Sequence, residues 1–280
     1  MASVAAATAD ATPSNRARSA SGSGTTKVSR MITRRTPYPE AAVAWMAGPE
    51  PMRVLDLGAG RGSFAAMLTA AGHEVFCIDG SVELVADLPD RLATRRHVVG
   101  RVESLPFLSC HFDVVTAAQT LHHFPPELAL SEIARVLKPG GHLAIAYNTR
   151  DDTVPWVRRL IALMREADPE SMRGEYGEDS VDKVAESPYF GLFERRNFRN
   201  WMPITRDGLI SMVERRPAVV QLNPMTRARL LREVGALYDS SARRPDPLML
   251  PFQTSCWRVE VDHSKLVIDD DFDDVLQIKL

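Results

Sequence analysis

The stretch that decides the fold is Val54-Leu55-Asp56-Leu57-Gly58-Ala59-Gly60-Arg61-Gly62-Ser63. A short apolar run typical of a buried strand leads into three glycines spaced two apart, and a helical pattern begins at Ser63. Glycines at such a junction let the backbone turn tightly and approach a ligand without a clash from Cβ. The helix behind them offers free N–H groups and the positive end of its dipole. The motif therefore predicts a strand, loop and helix that bind a ligand at the carboxyl edge of a sheet.

The segments that follow keep alternating between strand-like and helix-like patterns. One helix stops at Gly72, and another, capped by Ser81, is expected to end near Pro89. Units of strand, helix and strand are right-handed and build a parallel sheet covered on both faces. The predicted strands are residues 53–57, 74–78, 97–100, 112–117 and 142–147, with a helix from Pro125 and Pro126 that Pro139-Gly140-Gly141 breaks.

The pattern changes in the second half of the chain. Residues 168–188 are polar and rich in Gly, Glu and Ser, which predicts a loop or a mobile lid. A helical stripe precedes this segment, and alternating side chains at residues 257–261 predict a half-exposed strand. Between them we expect a strand over residues 192–203, a short helix over 209–213 and a longer helix over 230–238.

The second predicted strand ends at Asp79, beside the glycines in a parallel sheet. An acid there can accept hydrogen bonds from both hydroxyls of a ribose, although it can also serve a helix N-terminus. The ligand is therefore expected to be a nucleoside-bearing cofactor. The dinucleotide fingerprint G-x-G-x-x-G needs a glycine where this chain has Ser63, so the spacing argues against a dinucleotide.

The spacing Asp-x-Gly-x-Gly-x-Gly resembles motif I of the class I S-adenosylmethionine-dependent methyltransferases. Four further stretches are similar to that family and follow in its order across residues 53–147. The chain resembles small-molecule enzymes of the ubiquinone/menaquinone-biosynthesis type, and residues 121–124 and 147–157 resemble the pattern of the trans-aconitate methyltransferase-like group. The four stretches are Ile78-Asp79-Gly80-Ser81, residues 100–107, Phe112-Asp113-Val114-Val115 with Leu121-His122-His123-Phe124, and residues 132–141.

The resemblance implies a Rossmann-like α/β sheet, mostly parallel, with helices on both faces and an antiparallel strand near the C-terminus, at residues 255–261. It implies S-adenosylmethionine as the cofactor and no metal. Arg101 departs from the acid that many relatives carry, so contact with the adenine amino group falls to backbone atoms or to Glu103. The implied cofactor-binding residues are Asp56, Gly58, Ala59, Gly60, Gly62, Asp79, Gly80, Val102, Glu103 and Gln119. Gln119 has an alternative as a loop hydrogen bond.

His122 is the candidate catalytic residue. An imidazole titrates near neutrality and can remove a proton from an attacking hydroxyl, amine or carbon acid, although His122 can equally be a pocket wall. Arg150 suits a substrate carboxylate, or else is a solvated charge beside Asp151, and Trp156 suits either pocket or core. Candidate substrate-binding residues are His123, Asn148, Arg150 and Trp156, with Tyr147 in the same wall.

The domain prediction follows from composition and motifs. Residues 1–28 consist mainly of Ala, Ser, Thr and Gly and predict a disordered tail, with an organellar transit peptide as the alternative. Residues 29–262 are the expected methyltransferase domain, in which residues 151–250 form a substrate cap. Residues 263–280 predict an acidic tail, whose run of acids at residues 269–274 reads as solvated rather than metal-binding.

Composition narrows the partners. The chain has 280 residues and a formal net charge of −2, without the positive excess typical of a nucleic-acid binder. Thr116-Ala117-Ala118-Gln119 also lacks the Asn/Asp-Pro-Pro-Tyr of enzymes that methylate adenine amino groups. Three distant cysteines suit a reducing cytoplasm, and no apolar run is long enough to cross a membrane. We expect a small-molecule substrate, no nucleic acid and no membrane, with the oligomeric state left open.

Two other functions remain at this point. An NAD-dependent oxidoreductase would use the same fold but requires a different glycine spacing. A non-catalytic protein that senses S-adenosylmethionine would bind the cofactor as well as an enzyme does, so only turnover separates the two.

Overall fold

The computed structural model describes residues 38–92, 96–167, 177–243 and 247–266. One seven-stranded sheet runs through these residues in the order β3-β2-β1-β4-β5-β7-β6. Its strands are β1 (Arg53–Leu57), β2 (Glu74–Asp79), β3 (His97–Val99), β4 (Phe112–Ala118), β5 (Leu137–Arg150), β6 (Glu194–Ile204) and β7 (Leu248–Glu260).

Helices follow most of the strands and pack around the sheet. They are α1 (Glu40–Ala47), α2 (Ser63–Ala70), α3 (Val82–Leu92), α4 (Pro126–Val136), α5 (Pro155–Ala167), α6 (Glu178–Ala185), α7 (Arg206–Glu214), α8 (Pro217–Val220) and α9 (Pro224–Ser241). Two short 3₁₀ turns cover Leu121–His123 and His263–Lys265.

The central strand β1 is apolar because both faces of the sheet are covered. Leu55 and Leu57 enter the core on one face, and Val54 enters a second core on the other face. Leu55 pairs in parallel with Phe76 of β2 and with Val115 of β4. Strands buried on both faces read as continuous apolar runs. The predicted mostly parallel sheet with helices on both faces is thus confirmed.

The antiparallel strand near the C-terminus is also confirmed, and it is longer than predicted. β7 pairs antiparallel with β5 from His142↔Glu260 to Arg150↔Phe252. On its other side β7 pairs antiparallel with the whole of β6. The alternation at residues 257–261 predicted only the last part of this strand, because Thr254, Ser255 and Cys256 before it are all buried and show no alternation.

The prediction of a loop over residues 168–188 was wrong for the part that the structure describes. Glu178–Ala185 form the helix α6, in which Val181 and Val184 are buried. Only these two side chains join the core cluster that contains Tyr147 of β5. The segment is therefore polar overall, and its sequence shows no clear helical period of apolar residues. Residues 168–176 lie outside the described residues.

Two predicted boundaries also move. α3 runs past Pro89 to Leu92, because Leu88 and Leu92 are both buried in the core beside the glycines. β5 begins at Leu137 rather than at residue 142 and includes Gly140, with an irregularity in its pairing between Phe112 and Val114 of β4. The expected break falls inside a bulged strand.

The helices around β6 and β7 bring a third apolar cluster together. It joins α5, α7 and α9 to the first part of β7, with Leu160, Val213 and Val234 among its buried members. The helices expected near residues 209–213 and 230–238 are therefore present as α7 and α9. The predictions for residues 1–28 and for the acids at 269–274 lie outside the described residues.

Candidate active site

The glycine loop, residues 58–62, joins β1 to α2 at the carboxyl edge of the sheet. Gly58, Gly60 and Gly62 all have positive φ, at 62°, 54° and 74°. A Cβ on Gly58 would lie 2.9 Å from Thr120 Cγ2, and one on Gly62 would lie 2.7 Å from Leu88 Cδ2. A Cβ on Gly60 would meet no described atom closer than 3.9 Å. Packing thus requires two of the glycines, whereas Gly60 leaves open space above the loop.

Asp79 ties the end of β2 to this loop. Its Oδ2 accepts a hydrogen bond from the Gly60 N–H at 2.8 Å, and its Oδ1 accepts one from the Ser81 N–H at 2.9 Å. The side chain is only partly buried, and each carboxylate oxygen can accept a further hydrogen bond. Gly80 follows, with its Cβ position 4.0 Å from the Gly100 carbonyl oxygen. This arrangement leaves the carboxylate able to receive two hydroxyl groups.

Asp56 supports the loop from inside the protein. The residue is 2% exposed, and its Oδ1 accepts a hydrogen bond from Thr116 Oγ1 at 2.8 Å. Burial raises the pKa of Asp56 to about 7, against the lowering effect of the Thr116 hydroxyl and of the Ala65 N–H in the first turn of α2. Asp56 therefore joins β1 to β4 and to the first turn of α2, and its carboxyl is buried inside the protein.

Gln119 ends β4 in a conformation that few residues other than glycine adopt. Its φ is 66°, its N–H donates to the Ala146 carbonyl at 2.8 Å, and its Nε2 donates to the Asn148 carbonyl at 3.4 Å. Its Oε1 is buried and has no hydrogen-bond partner among the described residues. A buried acceptor without a hydrogen bond destabilises the folded protein. A strained backbone conformation such as this positive φ is frequent at functional sites.

His122 lies in the 3₁₀ turn that follows β4. Its Nδ1 is 3.3 Å from the hydroxyl of Tyr147, and its backbone N–H donates to the same hydroxyl at 3.3 Å. Burial and the neighbouring His123 lower the pKa of His122, so the imidazole is neutral at neutral pH. A cavity of about 190 Å³ lies beside it, mostly apolar, lined by Leu121, Phe124, Ala129, Leu130 and Lys183 among others.

Tyr147 was expected in the substrate wall, at the end of the predicted strand over residues 142–147. It lies instead within the longer strand β5 and is fully buried. Its hydroxyl holds His122, and its ring is covered by Gly177. The contact between Tyr147 and His122 joins residues that are 25 positions apart, so no local sequence pattern predicts it.

The adenine stretch is partly as expected. Val102 is buried in the main core, so any contact with a ligand falls to its backbone. Glu103 pairs with the exposed Arg101 at 3.1 Å, and this hydrogen bond lowers the pKa of Glu103. Arg101, the departure from the family pattern, is thus the partner of the neighbouring acid.

The proposed substrate residues separate into two environments. His123 is exposed, and its ring lies against that of His122 with 3.8 Å between the centroids and a tilt of 48°. Asn148 Oδ1 accepts a hydrogen bond from Thr254 of β7. Arg150 is half-buried against Met212 and Phe252, and Trp156 packs on the third apolar cluster. Thr120, which sequence reasoning missed, donates to the Leu57 carbonyl at 2.8 Å and closes β4 onto the glycine loop.

Comparison of the sequence with known proteins finds methyltransferases. The family model described as "Methyltransferase domain" matches residues 55–145. An uncharacterized methyltransferase of Mycobacterium tuberculosis is 32% identical over 231 residues, which covers 80% of this chain and 89% of the relative. A demethylmenaquinone methyltransferase of Beutenbergia cavernae is 40% identical over 105 residues, covering 37% of this chain and 42% of that protein.

Solved structures agree on the fold. A proposed type II methyltransferase from Anaeromyxobacter dehalogenans aligns with a TM-score of 0.57 and 19% identity, covering 80% of this chain and 95% of that one. A proposed methyltransferase of an antibiotic biosynthesis pathway in Anabaena variabilis aligns with a TM-score of 0.55 and 14% identity, covering 79% and 98%.

The sheet, its glycine loop and the acid at the end of β2 define the class of enzymes that hold a nucleoside cofactor at a strand edge. Within that class the chain belongs to the class I S-adenosylmethionine-dependent methyltransferases. The glycine spacing and the relatives do not favour an NAD-dependent oxidoreductase. Among the described residues, no helix combines the length and the apolar character needed to span a membrane.

The residues of this site fit S-adenosylmethionine. The open side of Gly60 leaves room for a ligand that a Cβ would obstruct, and the unpartnered Gln119 Oε1 needs a donor such as an ammonium group. Asp79 offers acceptors of the kind that ribose hydroxyls require.

Proposed function

We propose that this methyltransferase moves the methyl group of S-adenosylmethionine to a small organic acceptor by in-line displacement. The observation that carries the proposal is the buried, unpartnered Gln119 Oε1 at the end of β4, on the strand next to the glycine loop. Together these two strand ends supply an acceptor for the methionine ammonium and a backbone surface for the rest of the cofactor.

Each strand end then has one part of the cofactor to hold. Asp79 and Gly80 bind the ribose hydroxyls, and the backbone of Val102 with Glu103 borders the adenine. Asp56 acts as a positioning residue, because its buried carboxyl fixes the loop from below. The backbone that lies along the cofactor belongs to Gly58, Ala59, Gly60 and Gly62.

The bound cofactor supplies a methyl group already activated by a sulfonium, so orientation and exclusion of water contribute most of the acceleration. His122 is neutral and can take the proton of an acceptor hydroxyl or amine as the new bond forms. The Tyr147 hydroxyl holds the imidazole in place. His123, Asn148, Arg150 and Trp156 line the acceptor side, and residues 151–250 form the acceptor cap of a methyltransferase domain over residues 29–262.

A small-molecule acceptor in the cytoplasm agrees with the rest of the chain. The formal net charge of −2 provides little attraction for a nucleic-acid backbone. Cys77, Cys110 and Cys256 are all free thiols, which supports a reducing compartment.

A methyl-transfer screen tests the proposal. The full chain is incubated with S-adenosylmethionine labelled in its methyl group and pools of small organic acids, phenols, amines and quinone precursors. We expect labelled product from at least one pool, and loss of that product in the Gln119→Ala variant. Binding of S-adenosylhomocysteine without product from any pool would instead favour a non-catalytic sensor.

A further inference from the structure

Arg150 places a half-buried cation, with a buried Nε, at the end of β5. It is the last residue of the strand and pairs in register with Phe252 of β7, over whose ring its guanidinium lies at 5.7 Å from the centroid. Its Nη2 lies 3.4 Å from the thioether sulfur of Met212 in α7. An aromatic ring and a thioether thus flank the guanidinium.

No described acid pairs with this guanidinium. The Nε of Arg150 is buried and has no hydrogen-bond partner among the described residues. The adjacent Asp151 directs its Oδ1 to the backbone and hydroxyl of Thr153 instead. These contacts favour an anion-binding role for Arg150 over a solvated charge near Asp151 and Asp152. A buried charge without a counter-charge is unfavourable and rare in proteins, unless a ligand supplies the counter-charge.

The positive charge of Arg216 affects the pKa of Arg150. Burial, together with the positive charge of Arg216, lowers the pKa of Arg150 to about 10, which leaves the side chain protonated at neutral pH. Arg216 lies about one helical turn beyond Met212, just past the end of α7. Arg150 therefore keeps its positive charge at neutral pH, and its guanidinium lies between Met212 and Phe252.

Arg150 lies close enough to the proposed cofactor edge for one small molecule to contact both. Asn148, two residues before Arg150 on β5, accepts the hydrogen bond from Gln119 Nε2. Two residues of a strand span about 7 Å, so an acceptor held at Arg150 can reach toward Gln119.

We infer that Arg150 forms an oxyanion subsite that binds a carboxylate or phosphate of the methyl acceptor. Met212 and Phe252 then contact the apolar body of the same molecule, so the substrate is an amphipathic organic anion. The fork of a guanidinium suits a bidentate contact with either group. The role as an acceptor subsite rests on the proposed function, whereas binding of the anion can be measured without turnover.

The experiment compares charged and uncharged probes of one shape. Benzoate, phenyl phosphate and benzamide are each added to the full chain saturated with S-adenosylhomocysteine, and the unfolding temperature is followed. We expect benzoate or phenyl phosphate to raise it and benzamide to leave it unchanged, and the larger response identifies the oxyanion. Equal responses to benzoate and benzamide, or no response to either anion, would overturn the subsite.

Variants locate the response. Arg150→Gln should lose the anion response, and Arg150→Lys should keep only part of it, because it retains the charge without the fork. The control is Arg158→Gln, an exposed arginine of α5 next to the Asp152 carbonyl, which should respond like the wild type. A full response in Arg150→Gln contradicts the inference.

A second measurement covers the case in which Arg150→Gln folds poorly. Arg150→Met removes the buried charge and keeps the apolar contacts, so without any anion it should unfold at a temperature equal to or above that of the wild type. A markedly lower temperature would mean that the guanidinium is structural. If S-adenosylhomocysteine fails to bind the wild type, the proposed function fails; if it binds and the anions do not, only the subsite fails.

Discussion

At the scale of single residues, Gly60 tests whether the loop is a cofactor cradle. Gly60→Ala places a methyl group in open space at a φ of 54°, so it costs about 1 kcal/mol of stability from backbone strain. If a ligand lies on the loop, the same methyl group should weaken S-adenosylhomocysteine binding at least tenfold. Calorimetry with the variant measures this affinity.

Gly140 supplies the matched control. Its φ is 76°, and a Cβ there meets no described atom within 4 Å. Gly140→Ala should show a similar loss of stability with unchanged affinity. Equal affinities for the two variants would remove Gly60 from the cofactor site.

His122 predicts how the activity depends on pH. Its pKa is lowered by burial and by His123, and only the neutral imidazole can act as a base. We expect kcat/KM to be flat near neutral pH and to fall in acid, below the ordinary range of histidine. His122→Asn should lose this acid limb and on the order of 10²–10⁴ in rate.

The neighbouring imidazole provides a second check on that assignment. His123→Asn removes the charge that lowers the pKa of His122, so the acid limb should move to higher pH. An acid limb unchanged in both variants assigns the titration to another group.

Asp56 predicts how stability varies with pH. Its pKa is about 7 in the folded protein and 3.8 as its ordinary value, so the folded state binds more protons between these values. The free energy of unfolding should therefore fall as pH rises from about 4 to about 7, by at most about 4 kcal/mol for a shift of roughly three units.

Urea unfolding across this pH range measures the effect. Asp56→Asn keeps an acceptor for Thr116 but cannot titrate, so this fall should disappear from its profile. Asp87→Asn, an exposed acid of α3, should follow the wild type. A wild-type profile that stays level from pH 4 to 7 would contradict the buried carboxyl.

Residue-scale prediction from sequence succeeded where the backbone motif carries the information. Gly58, Gly60 and Gly62 lie as expected because their spacing encodes a turn with positive φ. Asp56 and Tyr147 were placed less well, because burial depends on neighbours distant in the chain. The unpartnered atoms of Gln119 and Arg150 also depend on such neighbours, so no spacing reveals them.

At the scale of elements, Gly177 shows how α6 is held against the sheet. It precedes the helix at a φ of 93°, and a Cβ there would lie 2.3 Å from Tyr147 Cζ. Tyr147 is fully buried and has no room to move away. Gly177→Ala should therefore destabilise the protein by about 2–4 kcal/mol, from overpacking and backbone strain together.

The same substitution at Gly72 is the control. Its φ is 95°, and no described atom lies within 4 Å of a Cβ there. Gly72→Ala should cost only the backbone strain of about 1 kcal/mol. Equal denaturation midpoints for the two variants would show that Gly177 does not pack on the tyrosine.

Elements with a strong period of apolar residues were predicted from the sequence, and elements with a weak one were not. The strands β1, β2 and β4 and the helix α2 lie close to their predicted bounds, because both faces or one full face are buried. The helix α6 was missed because it buries only Val181 and Val184. The extension of β5 was missed because glycine and proline inside a bulge resemble a turn.

At the scale of the whole molecule, the family, the strand arrangement and the cofactor follow from motifs in their order along the chain. The acceptor does not, because the elements proposed to build its side of the site, α5, α7 and β7, meet only in the folded protein. Arg150 illustrates the difference: the sequence suggested an anion contact, but only the fold shows the half-buried cation beside Met212 and Phe252, with no acid paired to it among the described residues.

The central claim is that the glycine loop holds S-adenosylmethionine, and titration calorimetry of the full chain with S-adenosylhomocysteine and with NADH tests it most directly. We predict one S-adenosylhomocysteine bound per chain, a weaker affinity in Gly60→Ala and no binding of NADH. Saturation at about one hundred times the dissociation constant should also stabilise the protein by about 2.7 kcal/mol. Binding of NADH without binding of S-adenosylhomocysteine would contradict the account.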